Sequence, residues 1–338
     1  MSFLYYIVIL DSSIESPSCT CNSGISLCKQ LFINKPIIFV IPSKGTVAIV
    51  RTEHEMMELI LGVAMSDERI RAVTMEGSRA NPTVTKDKYQ DYDITFYVRD
   101  ILPFYNNPLW VEQQFGEYLI MQMPEAMRWP DGGGHFNYMM IYPDTNRIDL
   151  TFRYTRYNPY AEPSVILLDK DDGEGFISKE IPEPSDEMYH IEVATPLHYY
   201  SCCNNFWWCL NNVAKGIARD ELAYVMYMLN EVVRFELHCM IDWYIGIKHN
   251  FKLSVGLKGK YYSKYLDSHL YELYRQTYST SNYIDVWQSM KVMCNLFHTL
   301  AVFVAESFGF SYRQQEEDGI WQYLLMIETE LGFLDNLS

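Results

Sequence analysis

The sequence predicts an α+β fold, in which a part that contains strands is followed by a helical part. Residues 51–155 alternate between helical and extended apolar patterns. From residue 198 to residue 338 the apolar residues recur at helical spacing. Residues 156–197, between these parts, are rich in Pro, Asp and Glu and are typical of a connector. The 338 residues suffice for one large or two ordinary domains.

Residues 1–49 differ from the rest of the chain. They carry three Lys and two acidic residues, so their net charge is +1. The whole chain has a net charge of -16, so the remaining residues carry -17. They show no amphipathic period, and their apolar start lacks the positive region of a signal peptide. We expect a leader produced by read-through of upstream sequence, with Val50 as the native first residue.

The first predicted helix begins after Thr52. Thr52 and Glu55 form a capping box, and Met56, Ile60 and Val63 follow on one apolar face. Apolar runs then predict strands at 70–75 and 94–98, and residues 110–115 fit a short helix. Residues 137–142 and 147–152 alternate in polarity and are separated by a turn, so they predict a hairpin.

A glycine turn and an acidic pair form the first candidate site. Gly77 and Ser78 follow the strand at 70–75, and Asp91 and Asp93 precede the strand at 94–98. Glycine allows backbone N–H groups to approach phosphate oxygens closely, and residues two apart on a strand share one face. Mg²⁺ is usually held by one or two carboxylates together with substrate phosphates. The pattern therefore indicates a site for a metal-bound nucleotide triphosphate, although each motif alone is common on ordinary surfaces.

Asp149 is the candidate third carboxylate. It lies between Ile148 and Leu150, so it points away from both on an alternating strand. It is either a solvated strand residue or the acid that completes a three-carboxylate site. Three carboxylates at such short distances repel one another unless cations bridge them, so a site of this kind depends on metal.

The connector and the C-terminal part are predicted in less detail. Residues 165–168 and 176–177 flank an acidic, glycine-containing segment, which predicts a second hairpin. Helical spacing is clear in 210–217, 222–233, 266–279, 283–308 and 318–333. Most of the aromatic and Met residues there are expected in the core.

Charge and cysteine content narrow the choice of function. The chain has 43 acidic and 27 basic residues, which argues against a nucleic-acid partner and favours a cationic one. Its eight cysteines show no zinc spacing, so buried thiols in a reducing cytoplasm are expected. No apolar run reaches about 18 residues, so no membrane span is predicted.

These residues together resemble the streptomycin (aminoglycoside) 6-adenylyltransferases of bacteria, within the nucleotidyltransferase superfamily. The resemblance covers roughly 51–330. It rests on Glu76-Gly-Ser-Arg79, Gln90-Asp-Tyr-Asp-Ile94, Met121-Gln-Met-Pro-Glu125, Ile148-Asp-Leu-Thr151, Cys202-Cys-Asn204, Phe206-Trp-Trp208, Val213-Ala-Lys-Gly216 and Gly259-Lys260.

The resemblance implies a nucleotidyltransferase domain on a mixed sheet with flanking helices, then a helical-bundle domain that binds the drug. ATP and the aminoglycoside would lie between them. Gly77 and Ser78 would contact the triphosphate, Asp91 and Asp93 would hold Mg²⁺, and Asp149 would be the third carboxylate. The reaction implied is transfer of AMP from ATP to a streptomycin hydroxyl. One departure is Asn205, where the family pattern has Glu.

Other site residues follow from local charge and aromaticity. Lys248 to Lys264 holds five lysines and no acid, which indicates either a solvated loop or a triphosphate contact. Lys260 and Lys215 are the best such contacts, and Arg79 either joins them or pairs with Asp67. Trp207 and Trp208 are candidates for binding the guanidinium groups of streptomycin. Adjacent helical residues face different ways, so at most one of the two is expected to contact the drug.

Alternative functions remain at this point. The chain could be a nucleotidyltransferase that acts on another small cationic substrate or, like a toxin, on a macromolecule. It could also be a nucleotide-binding scaffold without activity, although such a scaffold has no need of three carboxylates. A cytoplasmic enzyme, favoured as a monomer, is the interpretation that the sequence supports best.

Overall fold

The computed structural model describes residues 50–127, 134–160, 162–178 and 182–333. The predicted leader, residues 1–49, lies outside the described residues. The described chain divides into two compact units. The first holds 50–75, Asp87–Arg156 and Ile166–Ile177, and the second holds Glu76–Lys86, Tyr157–Val165 and the chain from Ser178 onward. Within these described ranges, no helix combines the length and the apolarity needed to cross a membrane.

The N-terminal half contains all of the described strands. In chain order its elements are α1 (Glu53–Ser66), β1 (Ile70–Glu76), α2 (Gly77–Ala80), β2 (Tyr92–Val98), α3 (Leu102–Tyr105), α4 (Leu109–Phe115), β3 (Ile120–Gln122), a 3₁₀ turn (Pro124–Ala126), β4 (His135–Ile141), β5 (Arg147–Arg153) and β6 (Ser164–Asp169).

The sheet is mixed, with the strand order β3-β4-β5-β2-β1-β6. β4 runs antiparallel to β5 with Asn137 opposite Thr151, so the predicted hairpin is confirmed. β2 runs parallel to β5, with Asp93 opposite Asp149. The α+β fold class is therefore confirmed, and its sheet brings two of the candidate acids onto neighbouring strands.

The predicted hairpin in the connector is wrong. Its first arm becomes β6, which joins the sheet edge beside β1, and residues 171–177 form turns and bends without a strand. Lys170 N donates to Arg71 O at 2.9 Å, and the Arg71 guanidinium pairs with Asp171. These contacts pair the first arm with β1 and leave the second arm without a partner strand.

One face of the sheet forms the core of the first unit. Ile94, Phe96, Ile148, Leu150 and Phe152 are fully or almost fully buried there. The Phe136 and Phe152 rings stack with centroids 4.8 Å apart. Because side chains alternate along a strand, Asp93 and Asp149 project from the opposite face.

The start of α1 is fixed by the predicted capping box. The Thr52 side chain accepts from Glu55 N, and the Glu55 carboxylate accepts from Thr52 N at 2.7 Å. A contact that the sequence did not indicate lies just before it. Arg51 Nε donates to Asp144 Oδ2 at 2.5 Å, and the Arg51 guanidinium lies over the Tyr142 ring. The turn between β4 and β5 is thereby tied to the first helix.

Asp144 is expected to make stability depend on acid pH. Burial alone would raise the pKa of its carboxyl, but hydrogen bonds from Arg51 and Asn146 outweigh burial and lower the pKa to about 2 from an ordinary 3.8. The stabilisation is therefore complete above pH 3.8 and is lost as pH falls towards 2. Asp144→Asn should lower the free energy of unfolding by about 1 to 2 kcal/mol at neutral pH. Urea unfolding of both proteins at pH 7 and near pH 2 checks this, and an equal difference at both pH values would contradict it.

The second unit is helical from Pro196 onward. Its elements are α5 (Pro196–Ala218), α6 (Leu222–Tyr227), a π-helix (Met228–Val233), α7 (Arg234–Lys248), a 3₁₀ turn (Leu257–Gly259), α8 (Tyr262–Tyr265), α9 (Ser268–Gln276), α10 (Tyr283–Phe308) and α11 (Gln314–Glu330).

A core of aromatic and aliphatic side chains joins α5 to α10. The Phe206 and Phe297 rings stack with centroids 3.7 Å apart, and Trp207 meets Phe297 edge-on. The cysteines within the described ranges are free thiols, mostly buried, as expected: Cys202, Cys203, Cys209, Cys239 and Cys294. Desolvation raises the pKa of each thiol, which disfavours the thiolate form.

Candidate active site on the first unit and candidate drug contacts on the second

Three carboxylates lie together at the start of β2 and β5. Asp93 and Asp149 are register partners on neighbouring parallel strands, so their side chains share one face of the sheet. Asp91 immediately precedes β2 and lies two residues before Asp93. Each of the three is half-buried. The structure thus brings together the acids that spacing alone could only suggest.

Arg147 connects two of these acids, a role that was not predicted from the sequence. Its Nε donates to Asp149 Oδ1 at 2.8 Å and its Nη2 to Asp149 Oδ2 at 2.7 Å, while Nη1 lies 3.2 Å from Asp91 Oδ2. The hydrogen bond to Asp149 and the charges of Asp149, Asp91 and Asp93 raise the pKa of Arg147. The guanidinium therefore offsets the repulsion among the three acids. The i, i+2 spacing of Arg147 and Asp149 was the signal that could have identified it.

The donor chemistry of the three acids fits Mg²⁺, which prefers oxygen ligands. Across the described ranges, however, no three or more acidic, histidine or cysteine side chains converge closely enough to hold a metal ion as they stand. Asp91 and Asp149 are instead directed at Arg147. A cation bound by these acids must take at least one carboxylate from the guanidinium.

A polar chain continues from this site across the same face of the sheet. Thr151 Oγ1 donates to Asn137 Oδ1 at 2.5 Å. Asn137 in turn donates to the Glu125 carboxylate through N at 2.9 Å and through Nδ2 at 2.5 Å. His135 Nε2 lies 3.7 Å from Glu125 Oε1. Glu125 is thus fixed by at least two donors on β4, the strand next to the one that carries Asp149.

Gly77, Ser78 and Arg79 form the short helix α2 directly after β1. Gly77 has φ of 67°, a left-handed conformation that a residue with a side chain adopts at a cost, so the turn requires glycine. Ser78 and Arg79 are half-buried. The alternative partner considered for Arg79, Asp67, accepts a hydrogen bond from Arg69 Nε at 2.9 Å.

The lysine-rich segment does not act as one cluster. Lys248 donates to Asp267 Oδ2 at 2.5 Å, so its charge is compensated within the helical unit. Lys260 is exposed, and its Nζ lies 5.1 Å from the centroid of the Tyr261 ring. Lys215 is half-buried in the last turn of α5. Lys260 therefore remains accessible, whereas Lys248 is a structural residue.

The two tryptophans of α5 face opposite ways. Trp207 is 2% exposed and packs in the core, whereas Trp208 is 69% exposed. Of the pair, Trp208 alone presents its ring to solvent. Trp207 supports the helix from within.

Asn205, where the resemblance predicts Glu, bonds to a carboxylate on another helix. Asn205 Nδ2 donates to Glu236 Oε1 at 2.6 Å. Glu236 lies in the first turn of α7 and is half-buried. Burial raises the pKa of its carboxyl, and the bond from Asn205 opposes that shift. Sequence spacing gave no signal for this pair, because 31 positions separate the two residues.

Comparison with known proteins adds evidence over nearly the whole described chain. A family model described as streptomycin adenylyltransferase matches residues 50–327. The aminoglycoside 6-adenylyltransferase of Bacillus subtilis (strain 168) is 37% identical over 280 residues, which are 81% of this chain and 96% of that protein. The one from Campylobacter jejuni is 35% identical over 291 residues, 85% of this chain and 99% of that protein. The crystal structure of an aminoglycoside 6-adenyltransferase from Bacillus subtilis matches with 34% identity and a TM-score of 0.41, over 82% of this chain and 98% of that chain.

Proposed function

This chain belongs to the streptomycin adenylyltransferase family, and on that premise we propose that it inactivates streptomycin by adenylylating the hydroxyl at position 6. As a family member it is an adenylyltransferase that uses ATP and transfers AMP to an aminoglycoside. Streptomycin as the preferred drug and Mg²⁺ as the cofactor are the finer parts of the proposal.

The observation that carries the proposal is the pairing of Asp93 with Asp149 on neighbouring parallel strands, with Asp91 two residues away. In the reaction the drug hydroxyl oxygen attacks the α-phosphorus of ATP, the bond to the bridging oxygen breaks, and pyrophosphate leaves. Negative charge then grows on the phosphate oxygens. Asp91, Asp93 and Asp149 would hold Mg²⁺, which when bound neutralises that charge and orients the triphosphate.

Arg147 gains a role in this scheme. Arg147 pairs with Asp91 and Asp149, so with Mg²⁺ bound at these acids its guanidinium would stand close enough to the triphosphate to donate to phosphate oxygens. Asp149, which Arg147 orients through two hydrogen bonds, is the group that we propose accepts the hydroxyl proton. Gly77, Ser78 and Arg79 are proposed to bind the triphosphate through backbone and side-chain donors.

Lys260 and Lys215 are proposed as further triphosphate contacts. Lys260→Ala should raise the KM for ATP by severalfold and leave the KM for streptomycin nearly unchanged, because only ATP carries phosphate charge. Lys252→Ala, an exposed lysine of the same segment, is the control. Steady-state kinetics with each substrate varied in turn checks this. An increase in the KM for streptomycin alone would remove Lys260 from the nucleotide site.

The proposed function is tested most simply by growth. Susceptible bacteria that produce the chain should grow on streptomycin and should gain little protection against spectinomycin or kanamycin. The Asp93→Asn variant, produced at an equal level, should give no protection. Equal protection by the variant would mean that the chain acts on the drug without the three-carboxylate site.

A further inference from the structure

Glu236 is a half-buried carboxylate without a cation beside it. No basic side chain among the described residues lies within 4.0 Å of its oxygens. Its Oε1 accepts from Asn205 Nδ2 at 2.6 Å, and hydrogen bonds from Asn205 and from the Cys202 thiol lower the pKa of the carboxyl against the effect of burial. Partial burial lowers the effective dielectric around the carboxylate, so an arriving cation is attracted more strongly than at an exposed acid.

Two hydrogen bonds orient the Asn205 amide so that its nitrogen donates to the Glu236 carboxylate. Its Oδ1 accepts from Cys209 Sγ at 3.3 Å, so its amide hydrogens are directed at the Glu236 carboxylate. The amide thereby fixes one oxygen of the carboxylate. A glutamate at this position, as in the family pattern, would instead repel Glu236 when both are ionised.

Exposed aromatic side chains lie near Asn205 and Glu236 in the sequence of their helices. Trp208 lies one turn after Asn205 on the same face of α5 and is 69% exposed. Phe235, next to Glu236, is 56% exposed. A guanidinium group is planar, stacks on aromatic rings and donates to carboxylates, so it matches this combination of a ring and an acid.

The helix that carries Glu236 contacts α5 at two places, one before Glu236 in the chain and one at Glu236 itself. A Cβ at Gly216 would lie 2.7 Å from Val225 Cγ2, so α5 and α6 approach closely there, and Asn205 bonds to Glu236 further along. The two contacts align α5 antiparallel to the helix that runs from α6 to α7. The π-helix Met228–Val233 lies between them, and its wider turn changes the angular position of every later residue. This turn helps to direct Glu236 towards Asn205.

We propose that Glu236 binds a guanidinium group of the aminoglycoside, with Asn205 as the residue that positions it and Trp208 as the ring that stacks on the group. The inference rests on the proposed function, since it assigns a drug contact for that reaction. It distinguishes drugs that carry guanidinium groups from those that do not.

Glu236→Gln tests the inference, because the variant keeps an oxygen that can accept from Asn205 while it loses the charge. Streptomycin binding is measured by calorimetry without ATP, together with KM for each substrate and the thermal midpoint. We expect binding of streptomycin to weaken and its KM to rise by about tenfold or more, with little change in the KM for ATP. Asn205→Ala should weaken streptomycin binding less. Glu306→Gln, an exposed acid on α10, should leave all values unchanged.

The outcomes separate the inference from the proposed function. If the wild-type protein binds streptomycin but transfers no AMP to it, the function fails, and a loss of binding in Glu236→Gln still supports the inference. Unchanged binding in Glu236→Gln, or an equal rise in KM for both substrates, overturns the inference alone. If the wild-type protein binds no streptomycin, both are overturned. Glu236→Gln could lose binding because it is less stable, which a lower thermal midpoint would reveal. In that case Asn205→Ala decides: the inference stands only if this variant weakens streptomycin binding without lowering the thermal midpoint.

Discussion

Asp93→Asn should remove nearly all AMP transfer while the protein stays folded. Asp93 projects from the polar face of the sheet and is only half-buried, so the amide fits the same space. It is a weaker ligand for Mg²⁺, and it lacks the charge that a metal site requires. Because changes just outside a metal's ligands cost about 10- to 100-fold, loss of a ligand should lower kcat by at least about a hundredfold.

The measurement is the initial rate of pyrophosphate release at several Mg²⁺ concentrations, with the thermal midpoint of each variant. Asp100→Asn is the matched control, because Asp100 is exposed after β2 and either side chain can accept from Leu102 N. Wild-type turnover by Asp93→Asn at ordinary Mg²⁺ would show that this acid is not part of the metal site.

Streptomycin should be preferred over spectinomycin by at least about tenfold in kcat/KM, which corresponds to about 1.4 kcal/mol. Streptomycin carries guanidinium groups and spectinomycin carries none. A charge-assisted hydrogen bond to a half-buried acid such as Glu236 is worth about 1.5 to 3 kcal/mol. The net charge of -16 favours the more cationic drug in the same direction.

The comparison is made at two ionic strengths. The preference should shrink with added salt, because salt screens the more exposed part of the attraction. Equal rates on both drugs, at either ionic strength, would mean that hydroxyl geometry and not guanidinium charge determines the substrate.

Much of the acidic face of the sheet could be predicted from local patterns. The capping box at Thr52, the alternation in β5 and the i, i+2 spacing of Asp91 and Asp93 each depend on residues near one another in the chain, where backbone geometry determines direction. That Asp93 and Asp149 are register partners could not be derived from the sequence, because strand order and parallel pairing depend on tertiary packing.

The contacts that the sequence did not indicate are long-range. β6 pairs with β1, and Arg71 and Asp171, 100 positions apart, form an ion pair beside that pairing. The Asn205–Glu236 bond depends on how α5 packs beside α7. Arg147 is the exception, since its spacing from Asp149 was visible and only its bonds to two acids required the structure.

The central claim is that three carboxylates and Mg²⁺ transfer AMP to streptomycin, and mass spectrometry of the drug tests it most directly. Purified protein is incubated with ATP and streptomycin, with Mg²⁺ or with a chelator, beside the Asp93→Asn variant. The account predicts streptomycin heavier by one adenylyl group, with an equal amount of pyrophosphate, in the wild-type sample with Mg²⁺ alone. Unmodified streptomycin in that sample, or equal modification in the chelator or variant samples, would contradict it.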